Sequence, residues 1–214
     1  LLQLGADGRR THQTRSRRQR VFSVFILFQR NRQLREQQRH EHGRAERDGQ
    51  PLQIRRRKGM ALLTYLALTG RAHSREALAT LLWPELDHSR GLSNLRRELS
   101  RLKKDLGVDI FLADRSQLGL DFEKEWTVDV ERFRALLATV DEHAHFPAEA
   151  CRDCLAALTE ATALYADDLL AGFTLPDAPA FDEWHFFENE SLRQALGDAL
   201  QQLIEWYQNR GAYG

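Results

Sequence analysis

The chain has 214 residues, with 31 Lys and Arg balanced by 31 Asp and Glu, and only two cysteines. That cysteine count excludes a disulfide framework, and the longest strongly apolar run, residues 21–28 with Ser23 inside it, is far too short to span a bilayer. The zero net charge hides a division: residues 1–50 carry +7, residues 51–110 carry +6 and residues 111–214 carry −13. A basic first half suits a polyanion, whereas the acidic second half would repel one or fold back onto the basic half.

Arginines precede the apolar run, as in a secretion signal, but Gln29-Arg30-Asn31-Arg32 follows it in place of a small-residue cleavage site. A cytoplasmic location is therefore expected. The sequence lacks an initial Met and stops at Gly-Ala-Tyr-Gly directly after a strong helical pattern, so it reads as a piece of a longer protein.

In chain order, residues 1–47 are rich in Arg and Gln with no sustained period and are expected to be a disordered basic segment, a solvated tail more readily than a nucleic-acid arm. Asp48-Gly49 is a strong hairpin signal, with residues 50–54 as a short strand. The residues before that turn lack the alternating apolar pattern of a partner strand.

Three helices with short connections follow. The first, near residues 58–68, carries Met60, Leu62, Leu63, Tyr65 and Leu66 and closes at Gly70. The second starts after Ser74, a good N-cap, aims Leu78, Leu81 and Leu82 inward, and ends at Trp83-Pro84. The third spans residues 89–106 and is closed by Gly107. Its Leu92, Leu95, Leu99, Leu102 and Leu106 fall within about 80° of one another around the helix axis. Arg90, Ser93, Asn94, Arg97, Arg101 and Lys104 gather on nearly the opposite side, while Arg96 and Lys103 flank the leucine stripe and are assigned peripheral or structural roles.

A helix, a short turn and a helix with a cationic outer face form the helix-turn-helix arrangement. Residues 109–112 and 117–122 then read as strand, turn and strand, and a hairpin directly after such a helix is a wing, with Arg115 at its tip.

The acidic remainder reads as helical. Asp129 can cap a helix presenting Phe133, Leu136, Leu137 and Val140. A second helix is expected over residues 151–170, ending near Gly172, and a third from Pro179 to Asn209. The expected fold class is mainly α: a winged helix-turn-helix over residues 48–125, then a helical domain over residues 126–214.

The chemistry of the basic helix suits the DNA major groove. Arg pairs bidentately with guanine and Asn with adenine, so Arg97 and Asn94 are the base-reading candidates, and Ser93 can serve either base or backbone. Arg90, Arg101, Lys104 and the wing residue Arg115 suit phosphates. A merely solvated basic face is the competing reading. Arg55, Arg56, Arg57 and Lys58, before and at the start of the first helix, can grip the backbone or simply be solvated. His143, His145, Cys151 and Cys154 have a spacing that zinc can use, although buried free thiols are the ordinary outcome; no metal or cofactor is assigned. No G-x4-G-K-[ST], H-E-x-x-H or G-x-S-x-G motif occurs, so no enzymatic activity is expected.

Residues Lys58-Gly59-Met60-Ala61-Leu62-Leu63-Thr64-Tyr65-Leu66-Ala67-Leu68 and Asn94-Leu95-Arg96-Arg97-Glu98-Leu99-Ser100-Arg101-Leu102-Lys103 resemble the DNA-binding half of bacterial activators of the antibiotic regulatory (SARP) type. Tyr165-Ala166-Asp167-Asp168-Leu169-Leu170-Ala171-Gly172-Phe173, Phe181-Asp182-Glu183-Trp184 and Trp206-Tyr207 resemble the bacterial transcriptional activator domain that follows it. The resemblance implies an OmpR-like winged helix joined to a tetratricopeptide-like domain. It further implies a transcriptional activator that reads promoter DNA with residues 89–106. Its helical domain would contact RNA polymerase or a second copy of the chain, and no membrane is implied. The alternative is a helical protein–protein adaptor whose winged helix does not bind DNA.

Overall fold

The computed structural model describes residues 22–25, 44–47, 50–52, 54–123, 126–143 and 152–209. The fold is mainly helical with two small sheets. Strands β1 (Phe22–Phe25), β2 (Arg44–Arg47) and β3 (Gln50–Leu52) open the chain, and β7 (Trp126–Val128) joins them in the order β3-β2-β1-β7. Successive pairs are antiparallel except β1 and β7, which run parallel with Phe22 opposite Trp126.

Two corrections follow. The segment 1–47, expected to be disordered, contributes β1 and β2. Arg44-Ala45-Glu46-Arg47 has no apolar alternation, yet as an inner strand it is held on both sides by backbone pairing, which does not depend on side-chain pattern. The hairpin around residues 48–49 therefore does have its partner strand, with Arg47 opposite Gln50. Pro51 is accommodated because β3 lies at the sheet edge, where no ladder donor is missed.

Helix α1 (Arg57–Thr69) is almost wholly buried from Gly59 to Leu68 and stops at Gly70, whose φ of +62° closes the helix left-handed. Strand β4 (His73–Ser74) is too short to show in the sequence pattern. It leads into α2 (Arg75–Leu82), whose N-cap Ser74 accepts a hydrogen bond from the Ala77 amide at 3.0 Å. After the turn at Pro84 and Glu85 comes α3 (His88–Leu106), capped by Asp87 and closed by Gly107. Strands β5 (Phe111–Ala113) and β6 (Gln117–Leu120) then form an antiparallel hairpin that pairs with β4, in the order β4-β6-β5.

Val128 passes directly from β7 into α4 (Asp129–Glu142). Helix α5 (Arg152–Leu164) ends six residues before the expected Leu170. The reason lies in α6 (Pro179–Asn209): its buried Asn189 accepts from the Leu169 amide at 2.8 Å, and His185 Nε2 lies 2.6 Å from the Leu169 carbonyl. Those partners satisfy backbone groups that a continued helix would have used itself, and Leu170 turns left-handed at φ +48°.

One apolar core runs through both halves. Leu62, Leu66, Leu78, Leu95 and Leu102 join Val130, Phe133, Phe173 and Phe181 in a single cluster, so residue 126 marks no break in packing. Among the described residues, no helix is long and apolar enough to cross a membrane.

Candidate nucleic-acid interface

The leucine spacing of α3 places Leu95, Leu99, Leu102 and Leu106 in the core and leaves Leu92 half-buried. The opposite face is open: Arg90, Arg97, Arg101 and Lys104 are exposed, and Ser93 and Asn94 are half-buried. The six helix residues expected to form the working face thus lie on the solvent side or its margin. Arg96 is exposed as well, whereas Lys103 pairs with Asp109 at 2.8 Å and ties the end of α3 to the strand that follows.

The polar side chains are preorganised along the helix. Arg97 donates to the Asn94 side-chain oxygen at 2.7 Å and, at 3.4 Å, to the Ser93 carbonyl, so the two base-reading candidates form one unit. Arg90 stands 3.3 Å from its own cap residue Asp87. Arg101 lies 3.6 Å from Glu98, which is buried on the flank of α3. Burial pushes the Glu98 carboxyl above its ordinary range, while Arg56 and Arg101 draw it partly back.

Arg115 is not brought onto the α3 face. It sits exposed in the turn between β5 and β6. That turn is built by Asp114, whose carboxylate accepts from the amides of Ser116 at 2.6 Å and Gln117 at 2.7 Å. The Gln117 and Ser116 amides hold its carboxyl below the usual range. Arg75 of α2 donates to the Asp114 carbonyl at 2.9 Å, fastening the turn to the helix pair.

Sequence reasoning missed the loop wall that stands opposite α3. Arg56, Arg57 and Lys58 line a cleft of about 540 Å³ together with Asn94, Arg97 and Arg101, and its far side is the 174–177 loop before α6. Lys58 fixes that loop: its ammonium pairs with Asp177 at 2.7 Å and stands 5.2 Å from the Trp83 ring centroid. The Arg57 guanidinium lies 5.0 Å from the Phe173 ring centroid. The four consecutive cations from Arg55 to Lys58 were singled out in the sequence, as a backbone grip or a solvated entry; the loop, over one hundred residues away, gave no signal.

Of the four residues with zinc-like spacing, His143 Nδ1 lies 3.1 Å from the buried Cys154 Sγ, and His145 and Cys151 lie outside the described residues. No group of three or more His, Cys, Asp and Glu is placed to hold a metal ion among the described residues.

No family model and no curated protein matches the chain. Among solved structures, Mycobacterium tuberculosis EmbR, in complex with a low-affinity phosphopeptide, superposes with a TM-score of 0.61 at 18% identity. The match covers 90% of this chain and 56% of that one, so the chain spans a little over half the length of EmbR. The described architecture, from the small N-terminal sheet to α6, is therefore the fold of EmbR's corresponding part.

Proposed function

We propose that the chain is a DNA-binding transcriptional regulator, an activator of the antibiotic regulatory type. In this reading α2 and α3 are the helix-turn-helix, the β5–β6 hairpin is the wing, and α4–α6 begin a tetratricopeptide-like domain. One observation carries the proposal: α3 buries its leucines while presenting Arg90, Ser93, Asn94, Arg97, Arg101 and Lys104 on a single open side. A helix so placed can enter the major groove, with Arg97 and Asn94 at base edges and Arg90, Arg101, Lys104 and Arg115 on phosphates. No catalytic role is assigned to any residue. The helical part offers exposed Phe186, Phe187 and Ile204 for protein contact, with RNA polymerase or a second copy as the partner.

The test is a salt titration of binding to duplex DNA. Affinity should fall steeply as salt rises, with a logarithmic slope of about −0.9 for each phosphate neutralised. Arg101→Ala should lower that slope by about 1 and weaken binding on all sequences alike, whereas Arg97→Ala should also relax discrimination at one base pair by about 1–3 kcal/mol. Binding indifferent to salt and to both substitutions would return the chain to the adaptor reading.

A further inference from the structure

The cleft between α3 and the 174–177 loop has two unlike walls. On one side the guanidinium groups of Arg56, Arg97 and Arg101 converge with the Asn94 amide. On the other stand Trp83, Leu175 and Pro176, of which Trp83 and Leu175 are otherwise buried. Five cations and two carboxylates line the space. Asp177 is paired with Lys58, and Glu98 is shared between Arg56 and Arg101, so the five cations outweigh the two carboxylates. Arg57 is turned over the Phe173 ring, which leaves Arg56 and Arg97 to face a ligand. A volume of about 540 Å³ lies within the range of small-molecule sites, which favour junctions between packed units and combine an apolar lining with a few convergent polar groups.

We propose that this cleft binds a small organic anion, a phosphate or carboxylate joined to an apolar group, and that its occupation excludes DNA. The anionic end meets Arg56 and Arg97, and the apolar end lies against Trp83, Leu175 and Pro176. Exclusion follows because Arg97 cannot serve a bound anion and a base edge together. The binding half stands on the cleft alone, whereas the exclusion half rests on the DNA-reading role proposed for α3. A backbone phosphate of DNA shares the anionic chemistry but has no use for the apolar wall, and that difference separates the two sources.

The experiment titrates the full chain with phenyl phosphate and, at equal ionic strength, with inorganic phosphate, using calorimetry without DNA. One site is expected, with phenyl phosphate bound at least about tenfold more tightly than inorganic phosphate, since burying a ring supplies free energy that the bare ion lacks. Arg56→Ala and Pro176→Glu, both at exposed positions, should each weaken phenyl phosphate about tenfold while a thermal melt shows the fold intact. Equal affinity for the two anions marks the cleft as a DNA-phosphate groove and overturns the proposal; so does absence of binding up to about 10 mM, or indifference to both variants. A second arm measures fluorescence anisotropy of a labelled duplex with and without saturating phenyl phosphate. Loss of DNA affinity supports exclusion, and unchanged affinity overturns it. A chain that binds phenyl phosphate but never binds DNA defeats the DNA-reading role and the exclusion while leaving the anion site standing.

Discussion

At the scale of single residues, two positions in the first helix are not what composition alone suggests. Thr64 reads as an ordinary helix residue, yet it is fully buried and its hydroxyl has no hydrogen-bond partner among the described residues. Thr64→Val keeps the shape and removes the stranded group, and it should stabilise the fold by about 1–3 kcal/mol, measured as a shift in urea midpoint. Gly59 leaves room for one side chain. A Cβ there would stand 2.7 Å from Glu98 Oε1, the end of a side chain that can swing aside only out of its buried place, so Gly59→Ala should cost about 1 kcal/mol, and less in a Glu98→Ala background. Equal costs in the two backgrounds would show that the glycine serves something else. Glu98 also sets a pH dependence. Folded Glu98 keeps its proton to higher pH than the unfolded side chain does, from an ordinary value of 4.5. Its favourable contribution is thus complete below 4.5 and lost as pH rises through the raised value. Stability of the wild type should decline across that window, and Glu98→Gln should flatten the decline. None of this was legible beforehand, because Glu98 owes its burial to α1, a contact that no spacing within α3 reveals.

At the scale of elements, α3 was the most legible part. Nineteen residues with leucines at intervals of three and four leave little choice about which face is buried. Leu95→Ala, at a fully buried position, should cost about 2–5 kcal/mol. Its thermal melt should move well below that of an exposed control such as Ser100→Ala. The ends of α6 were equally plain, with Pro179 opening the helix. The limit of α5 was not, because what stops it is Asn189 and His185 reaching across from α6. Strands β1, β2 and β7 escaped for a related reason: each has three or four residues, and each is defined by its neighbours rather than by its own pattern. The candidate site divides along the same line. Its α3 wall was readable from periodicity, and its loop wall, held by Lys58 and Asp177, was not.

At the scale of the molecule, the charge changes sign after residue 110 and the expected helical domain starts at residue 126, yet the packing is continuous across both points. Strand β7, at the second of them, completes a sheet begun by β1. A fragment of residues 48–125 keeps one strand of that four-stranded sheet and loses the packing against α4 and α6. It should give no cooperative melt by circular dichroism, whereas residues 20–210 should melt in one transition. Two separate transitions in the longer fragment would argue for independent halves.

The parallel pairing of Phe22 with Trp126 also has a consequence in time. As the chain leaves the ribosome, β1 can find β2 soon after Arg47 appears, but its other edge waits for about eighty further residues, several seconds of synthesis at about 5–20 residues per second. During that interval the nascent chain carries an open strand edge, the kind of surface that templates pairing with another chain. Translation speed between α1 and β7 is therefore a quantity to which the yield of folded protein should respond.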